Sequence, residues 1–426
     1  MEYKQRIADK LLENKLKGMG AVLVEGAKWC GKTTTSEQIA KSVLYMDAPK
    51  DRSSNLRMAQ ISPDVLLEGA TPRLIDEWQI APELWDTIRF TVDHREQDGQ
   101  FILTGSVTPL SDEDQELIHH SGAGRIARLK MRPMTLWESG ESTGQISMES
   151  LFAGATDLTG TSSLELKDIA YLMCRGGWPR AVAQSHDIAL GRAFDYYDTV
   201  VNVDVKEPDH VERNPERVKL LMRSYARNQG TQVSLSAICA DMKANDNDAL
   251  DDRTVYSYLQ ALKGIFVVED TKAWNPNLRS KAAIRTSDTR YFTDPSIATA
   301  ALGIGPEDLM HDLNTMGLIF ETLCMRDLRV YAQALDGEVY HYRDSDGLEC
   351  DAVVHLRQGA YGLIEMKLGG DSLIEEGVAS LLKLAKKIDP TKMSKPSFLM
   401  VLTATGRFAY RREDGVYVVP ISCLRP

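Results

Sequence analysis

Gly26-Ala27-Lys28-Trp29-Cys30-Gly31-Lys32-Thr33 satisfies the spacing G-x-x-x-x-G-K-[ST] between an apolar run, Ala21 to Val24, and a segment of helical character. That context constrains the chain more than any other feature. Glycines at both ends let the backbone curl until successive N–H groups point inward at an anion, with a helix N-terminus behind them. Lys32 then reaches the β- and γ-phosphates of a nucleotide, and Thr33 offers its hydroxyl to magnesium. The expected cradle comprises Gly26, Ala27, Lys28, Trp29, Cys30, Gly31, Lys32, Thr33 and Thr34. A glycine turn without a ligand explains the two glycines but not the Lys-Thr-Thr that follows them.

Downstream, Pro72-Arg73-Leu74-Ile75-Asp76-Glu77-Trp78 is a short apolar strand ending in two carboxylates. After a phosphate loop this pattern reads as a Walker B strand, in which Asp76 holds magnesium through water and Glu77 polarises the attacking water. Phe101 to Thr104 is a further strand running into Gly105-Ser106, and the ends of parallel strands face the nucleotide. Ser106, with Thr104 as the alternative, is the candidate γ-phosphate sensor. Gly122-Ala123-Gly124-Arg125 precedes the alternating segment Ile126 to Met131. Arg125 is the candidate arginine finger, donated to a neighbouring copy because it lies far along the chain from the loop; Arg128 and Arg132 are alternatives.

Residues 18 to about 138 resemble the ATPase domain of the AAA superfamily, in the prokaryotic branch whose loop reads G-x-R-x-x-G-K-T-T and whose Walker B strand ends in Asp-Glu. Lys28 stands where that branch often has arginine. Ser121 to Ser139, with its Gly-Arg, alternating strand, Pro133 and Trp137-Glu138, carries the same resemblance. It implies ATP and Mg²⁺ as cofactors and assembly with further copies of the chain. It also implies a helical lid: Ile169 to Arg175, the turn Gly176-Gly177-Trp178-Pro179, and a helix from Arg192 to Lys206. Trp178 itself reads as a packing residue at a stiff turn.

The 426 residues, 43% of them hydrophobic, can fill two to four cores. No apolar run spans a bilayer and no secretory leader is evident, so a cytoplasmic protein with no membrane partner is expected. Six scattered cysteines without a C-x-x-C pair argue against metal clusters and a disulfide framework. A net charge of −11 argues against a protein that coats nucleic acid along its whole surface. Val211 to Arg285 is an exception, with twelve Lys or Arg against nine acids. Its spacing predicts helices over Val218–Asn228, Leu235–Met242 and Val255–Lys263, then a strand, Ile265 to Glu269. Three helices and a strand resemble a winged helix-turn-helix, with Arg253, Tyr256, Tyr258 and Lys263 on or near the recognition helix. A module that only binds protein is the competing reading.

In the tail, Glu349 to Val354 is a strand carrying Asp351, and Tyr361 to Lys367 is a strand whose period of two puts Glu365 and Lys367 on one face. Asp on one strand facing Glu-x-Lys on the next is the PD-(D/E)XK nuclease arrangement. Its carboxylates hold magnesium and its lysine steadies the attacking hydroxide or the transition-state charge. Glu321, on a helix from Leu318 to Leu328, is a further candidate ligand. Residues 276 to 426 resemble the end of the domain of unknown function that accompanies this ATPase branch.

The expected fold class is therefore α/β. It comprises a P-loop AAA-type ATPase core (1–139), a linker with a helical lid (140–210), a winged helix-turn-helix module (211–275) and a PD-(D/E)XK nuclease-like α/β domain (276–426). The expected function is ATP binding and hydrolysis with action on DNA and a Mg²⁺-dependent nuclease tail. The alternative is an ATP-dependent switch whose tail is a catalytically silent binding module for DNA or protein.

Overall fold

The computed structural model describes residues 2–111, 116–244, 251–276 and 286–426, and the chain divides into two compact units. Arg279, Lys281 and Arg285, which contribute to the basic balance of 211–285, lie outside the described residues.

The first unit gathers residues up to 133 with 200–214 and 257–267. Its centre is an all-parallel sheet of β1 (Ala21–Glu25), β2 (Ser42–Tyr45), β3 (Arg73–Asp76), β4 (Phe101–Gly105) and β5 (Ile126–Lys130), in the order β2-β3-β4-β1-β5. Strands β1 and β4 are nearly continuous apolar runs because both faces of a parallel sheet are covered. On one face Ile75 and Phe101 of the sheet pack in one core with Leu84, Ile88 and the tilted pair Trp78–Trp85, whose ring centroids are 5.0 Å apart. Register pairs Glu25 with Gly105 and Ile75 with Leu103, so the C-terminal ends of β1, β3 and β4 meet at one sheet edge. The phosphate loop, the Asp-Glu pair and Ser106 leave from that edge.

The second unit comprises 134–199, 215–256 and 268–426. Its remaining strands are β6 (Ile146–Ser147), β7 (Gly160–Thr161), β8 (Gly337–Arg343), β9 (Glu349–Leu356), β10 (Tyr361–Lys367), β11 (Phe398–Thr403), β12 (Phe408–Arg411), β13 (Tyr417–Pro420) and β14 (Leu424–Arg425). Seven of them form a mixed sheet in the order β7-β12-β13-β11-β10-β9-β8. Strands β8, β9 and β10 are antiparallel, whereas β10, β11 and β13 are parallel. The helix Leu313–Ala334 precedes β8, and Asp371–Lys387 crosses from β10 to β11. The latter packs Val378, Leu381 and Leu384 onto Val353, Leu363 and Val401.

Two expectations are corrected here. The first part of the expected linker and lid (140–210), residues 140–165, is not free: β6 pairs with β14, β7 pairs with β12, and Ser142 donates to the carbonyl of Leu424 at 2.6 Å. Its partners lie more than 240 residues away, where no local pattern reveals them. Ile265 to Glu269 is not a strand either. Phe266 adopts a left-handed φ of 59°, which breaks extension, and isolated bridges follow, Val268 with Phe292, Thr271 with Thr289 and Ala273 with His341. The three helices before it do form, as Pro215–Arg227, Leu235–Lys243 and Asp252–Gly264.

The Gly-Gly-Trp-Pro turn follows the helix Leu166–Arg175, with Pro179 opening Pro179–Val182. Gly176 has φ +71°, and a Cβ on Gly177 would lie 2.1 Å from the Met134 carbonyl oxygen, so both positions require glycine. Trp178 is buried against Tyr196 and donates its Nε1–H to Ser296 at 2.9 Å. The helix that follows is His186–Asn202, ending short of Lys206.

Candidate functional site

Gly31, at φ 102°, caps the short helix Lys32–Glu37 behind the phosphate loop. The Lys32 ammonium is buried and donates to the carbonyls of Gly26 at 2.9 Å and Ala27 at 3.0 Å, so the loop closes on its own lysine. Ala27 and Cys30 are buried, Thr34 is exposed, and Trp29 is 44% exposed with a left-handed φ of 66°.

Beneath the loop, Thr33 donates to Asp76 Oδ1 at 2.7 Å and Thr104 donates to the same oxygen at 2.6 Å. Thr104 also accepts the N–H of Glu77 at 3.3 Å. Glu77 itself is left-handed, at φ 57° and ψ 49°. That backbone costs a non-glycine residue about 1–2 kcal/mol, and it turns the Glu77 side chain away from the strand direction. The carboxylate accepts Ser106 at 3.1 Å and is also bonded by Gln79. Thr104, the alternative sensor, thus organises the Asp-Glu pair, while Ser106 touches Glu77 directly.

Lys28 donates to Asp204 at 2.8 Å and to Glu207 at 2.6 Å. Burial works against its charged form, but the two carboxylates outweigh it and raise its proton affinity. Burial raises the Glu207 carboxyl above its ordinary range; Lys28 opposes that shift, and Asp204 and Glu77 add to it. Glu207 therefore lies within electrostatic reach of Glu77. Sequence reasoning missed Asp204 and Glu207, which stand 176 and 179 residues from Lys28. Gln79, two residues beyond Glu77, was open to inspection.

Arg125, the candidate finger, is paired with Asp93 at 2.7 Å and donates to the Ala123 carbonyl at 3.2 Å. Arg128 pairs with Glu25 at 2.8 Å.

The donor set fits Mg²⁺–ATP. Lys32 and the loop N–H groups would take the phosphates, and the hydroxyl of Thr33 with the carboxylate of Asp76, already in contact, would hold the metal. Bound there, Mg²⁺–ATP supplies an electrophilic γ-phosphorus with its oxygens partly neutralised. The Glu77 carboxylate, held by Ser106 and Gln79, would be the group nearest to a water attacking there.

In the second unit, Glu321, Asp351, Glu365 and Lys367 converge. Lys367 donates to Glu365 at 3.1 Å, and Ser380 donates to the other Glu365 oxygen at 3.2 Å. Asp351 accepts the Met366 N–H at 2.7 Å, and Glu321 accepts the Tyr291 hydroxyl at 3.2 Å. Burial, followed by the charge of Asp351, raises Glu321 and Glu365 well above the usual carboxyl range. Burial also raises Asp351. Burial opposes the charge on Lys367, but Asp351 and Glu365 outweigh it.

The three carboxylates expected to hold magnesium, Glu321, Asp351 and Glu365, thus lie together with Lys367 and are each bonded by a protein group. Among the described residues no group of three or more His, Cys, Asp or Glu side chains is disposed to hold a metal ion. Asp351 and Glu365 are also hydrogen-bonded to each other, and Glu321 feels the charge of both.

Residues 19–139 match the family model of an AAA domain, 166–308 that of a domain of unknown function (DUF8612) and 316–424 that of another (DUF4143). Uncharacterised proteins of Mycobacterium bovis and Mycobacterium tuberculosis are each 23% identical over 386 residues, 90% of this chain and 78% of theirs. The Walker-type ATPase PABY2304 of Pyrococcus abyssi is 15% identical at a TM-score of 0.43, covering 70% of this chain and 96% of its own. The Aeropyrum pernix Orc1 protein in complex with DNA is 13% identical at a TM-score of 0.26, covering 70% of this chain and 92% of its own. The AAA-domain match over 19–139, the parallel sheet and the phosphate loop support an AAA-type ATPase unit that binds and hydrolyses ATP. Among the described residues no helix is long and apolar enough to cross a membrane.

Proposed function

We propose that this ATPase acts on DNA, its first unit turning over ATP and its tail engaging the nucleic acid. The supporting observation is the sequence of elements in the second unit. A helix, three antiparallel strands, a crossover helix and a parallel strand carry Glu321, Asp351, Glu365 and Lys367 to one place. That order is the one a PD-(D/E)XK-like domain requires, and such domains handle nucleic acids. Because the carboxylates are satisfied by protein groups, the reading favoured is a tail that binds without cutting. Mg²⁺-dependent cleavage is the second reading, supported by the convergence of an acid set on Lys367. In both readings Thr33 and Asp76 hold magnesium, Lys32 binds the phosphates, Glu77 activates water, and Arg125 serves a neighbouring copy.

The test is ATP hydrolysis and gel analysis of duplex, nicked and branched DNA with Mg²⁺ or Mn²⁺. Glu77→Gln is expected to bind ATP and lose turnover, and wild-type hydrolysis by that variant would remove Glu77 from its role. DNA binding without cleavage by both wild type and Lys367→Ala supports the silent module. Cleavage that Lys367→Ala abolishes supports the nuclease.

A further inference from the structure

Residues 3 to 9, which open the helix Ile7–Leu16, hold the phosphate loop and its helix at two places. The first hold is Arg6. It is 5% exposed, and its guanidinium donates from Nη1 to the Cys30 carbonyl at 2.9 Å and from Nη2 to the Arg132 carbonyl at 2.8 Å. Cys30 belongs to the loop, and Arg132 follows Met131, whose N–H donates to the Glu25 carbonyl at the end of β1 at 2.7 Å. One buried cation thus ties the loop to the sheet edge from which it leaves.

The second hold is Tyr3. Its hydroxyl donates to Asp9 Oδ1 at 2.5 Å and lies 2.9 Å from Oγ1 of Thr35, a buried residue of the helix Lys32–Glu37. A phenol has one proton, so the Thr35 hydroxyl is the donor in that pair. The other Asp9 oxygen accepts the Arg6 N–H at 2.8 Å, which fixes the backbone that carries the guanidinium.

Burying a guanidinium costs free energy that an apolar side chain in the same place would not. Packing therefore does not explain an arginine here. Peptide geometry does. The Cys30 carbonyl and the Gly31 N–H belong to one planar trans unit and point in opposite directions. A donor fixed on that oxygen aims the Gly31 N–H the other way, and a charged donor polarises the unit so that its N–H makes a stronger hydrogen bond. Gly31, at φ 102°, has no side chain to set this orientation itself.

We propose that Arg6 is a positioning residue for nucleotide binding: it aims and polarises the Gly31 N–H toward the α- and β-phosphates, which ATP and ADP share. Tyr3 and Asp9 hold it in place. The inference rests on the reading that this loop binds Mg²⁺–ATP, and it adds the group that shapes the loop from outside the motif.

The test is calorimetric titration of the full-length protein with ATP and with ADP, each with Mg²⁺, alongside steady-state ATP hydrolysis and thermal unfolding without nucleotide. Arg6→Gln should weaken ATP and ADP alike, about tenfold each, as expected for loss of a charge-assisted hydrogen bond. It should raise KM by a similar factor while kcat stays within about threefold of wild type. Arg6→Lys keeps the cation and should return both affinities to within about threefold of wild type. Tyr3→Phe removes only the hydroxyl between Asp9 and Thr35 and should weaken both nucleotides about threefold. A lowered melting temperature in Arg6→Gln with unchanged affinity for both nucleotides would make Arg6 a packing residue and overturn the proposal. A loss confined to ATP would also overturn it, because the effect would then lie at the γ-phosphate. If Arg6→Gln does not fold, Tyr3→Phe decides: a loss shared by ATP and ADP at an unchanged melting temperature supports the proposal, and wild-type affinity overturns it. A wild type that binds neither nucleotide removes the nucleotide reading itself, and the role of Arg6 falls with it.

Discussion

Replacing Glu321 by glutamine removes one negative charge from a buried cluster and keeps the acceptor that bonds Tyr291. Three carboxylates there share one ammonium, Lys367, so full ionisation leaves the cluster with excess negative charge. Like charges a few ångströms beyond contact repel by about 2 kcal/mol at the effective dielectric of a protein. For a unit of this size that corresponds to roughly 4–8 °C in melting temperature. The sign with pH follows from the raised proton affinity of Glu321. An acid that folding makes harder to ionise adds stability fully below its unfolded value of about 4.3. That stability is lost as pH rises through the higher folded value. Wild type should therefore lose melting temperature from pH 5 to pH 8 more steeply than Glu321→Gln. The variant should melt higher at pH 8, and the gap should close toward pH 5. Thermal unfolding of the full-length protein, followed by circular dichroism at low salt, measures both. A variant that melts at or below wild type at pH 8, with an offset constant in pH, would refute the reasoning. Repeating the scan with Mn²⁺ adds a second readout, since a cation that stabilises wild type but not the variant would show the cluster rearranging to hold metal.

Two further outcomes concern the first unit. Lys28→Met leaves Asp204 and Glu207 uncompensated near Glu77 and is expected to weaken ATP binding about tenfold; Lys28→Arg should be tolerated, and adding Glu207→Gln to Lys28→Met should recover part of the loss, all read by nucleotide titration. If Arg125 serves a neighbouring copy, the specific ATPase rate should rise with protein concentration, Arg125→Ala should lower it with little change in ATP affinity, and mixing Arg125→Ala with Glu77→Gln subunits should restore some turnover.

The phosphate loop, the Asp-Glu strand end and the Glu-x-Lys strand were legible from the chain because each is a local pattern. Spacing along one strand or turn decides which atoms face the ligand, and residues within a few positions supply them. The setting of Glu77 was less legible. Its left-handed backbone and its bond to Ser106 depend on how β3 and β4 sit side by side. The helices of 211–275 followed their apolar period, but the strand after them did not form, because Phe266 turns the chain there.

What the sequence by itself determined is the nucleotide chemistry: a glycine-bounded turn before Lys32 and Thr33 can do little else, and two carboxylates at the end of an apolar strand complete it. Only the tertiary structure decided which distant groups meet. It brought Asp204 and Glu207 to Lys28, tied 140–165 into ladders with β12 and β14, and set Arg6 on the carbonyls of Cys30 and Arg132. It also gave the tail carboxylates protein donors, the Met366 N–H for Asp351 and Ser380 for Glu365. Such pairings carry no local signal, because a contact across many residues is set by sheet order and register, and these emerge only when the whole core packs.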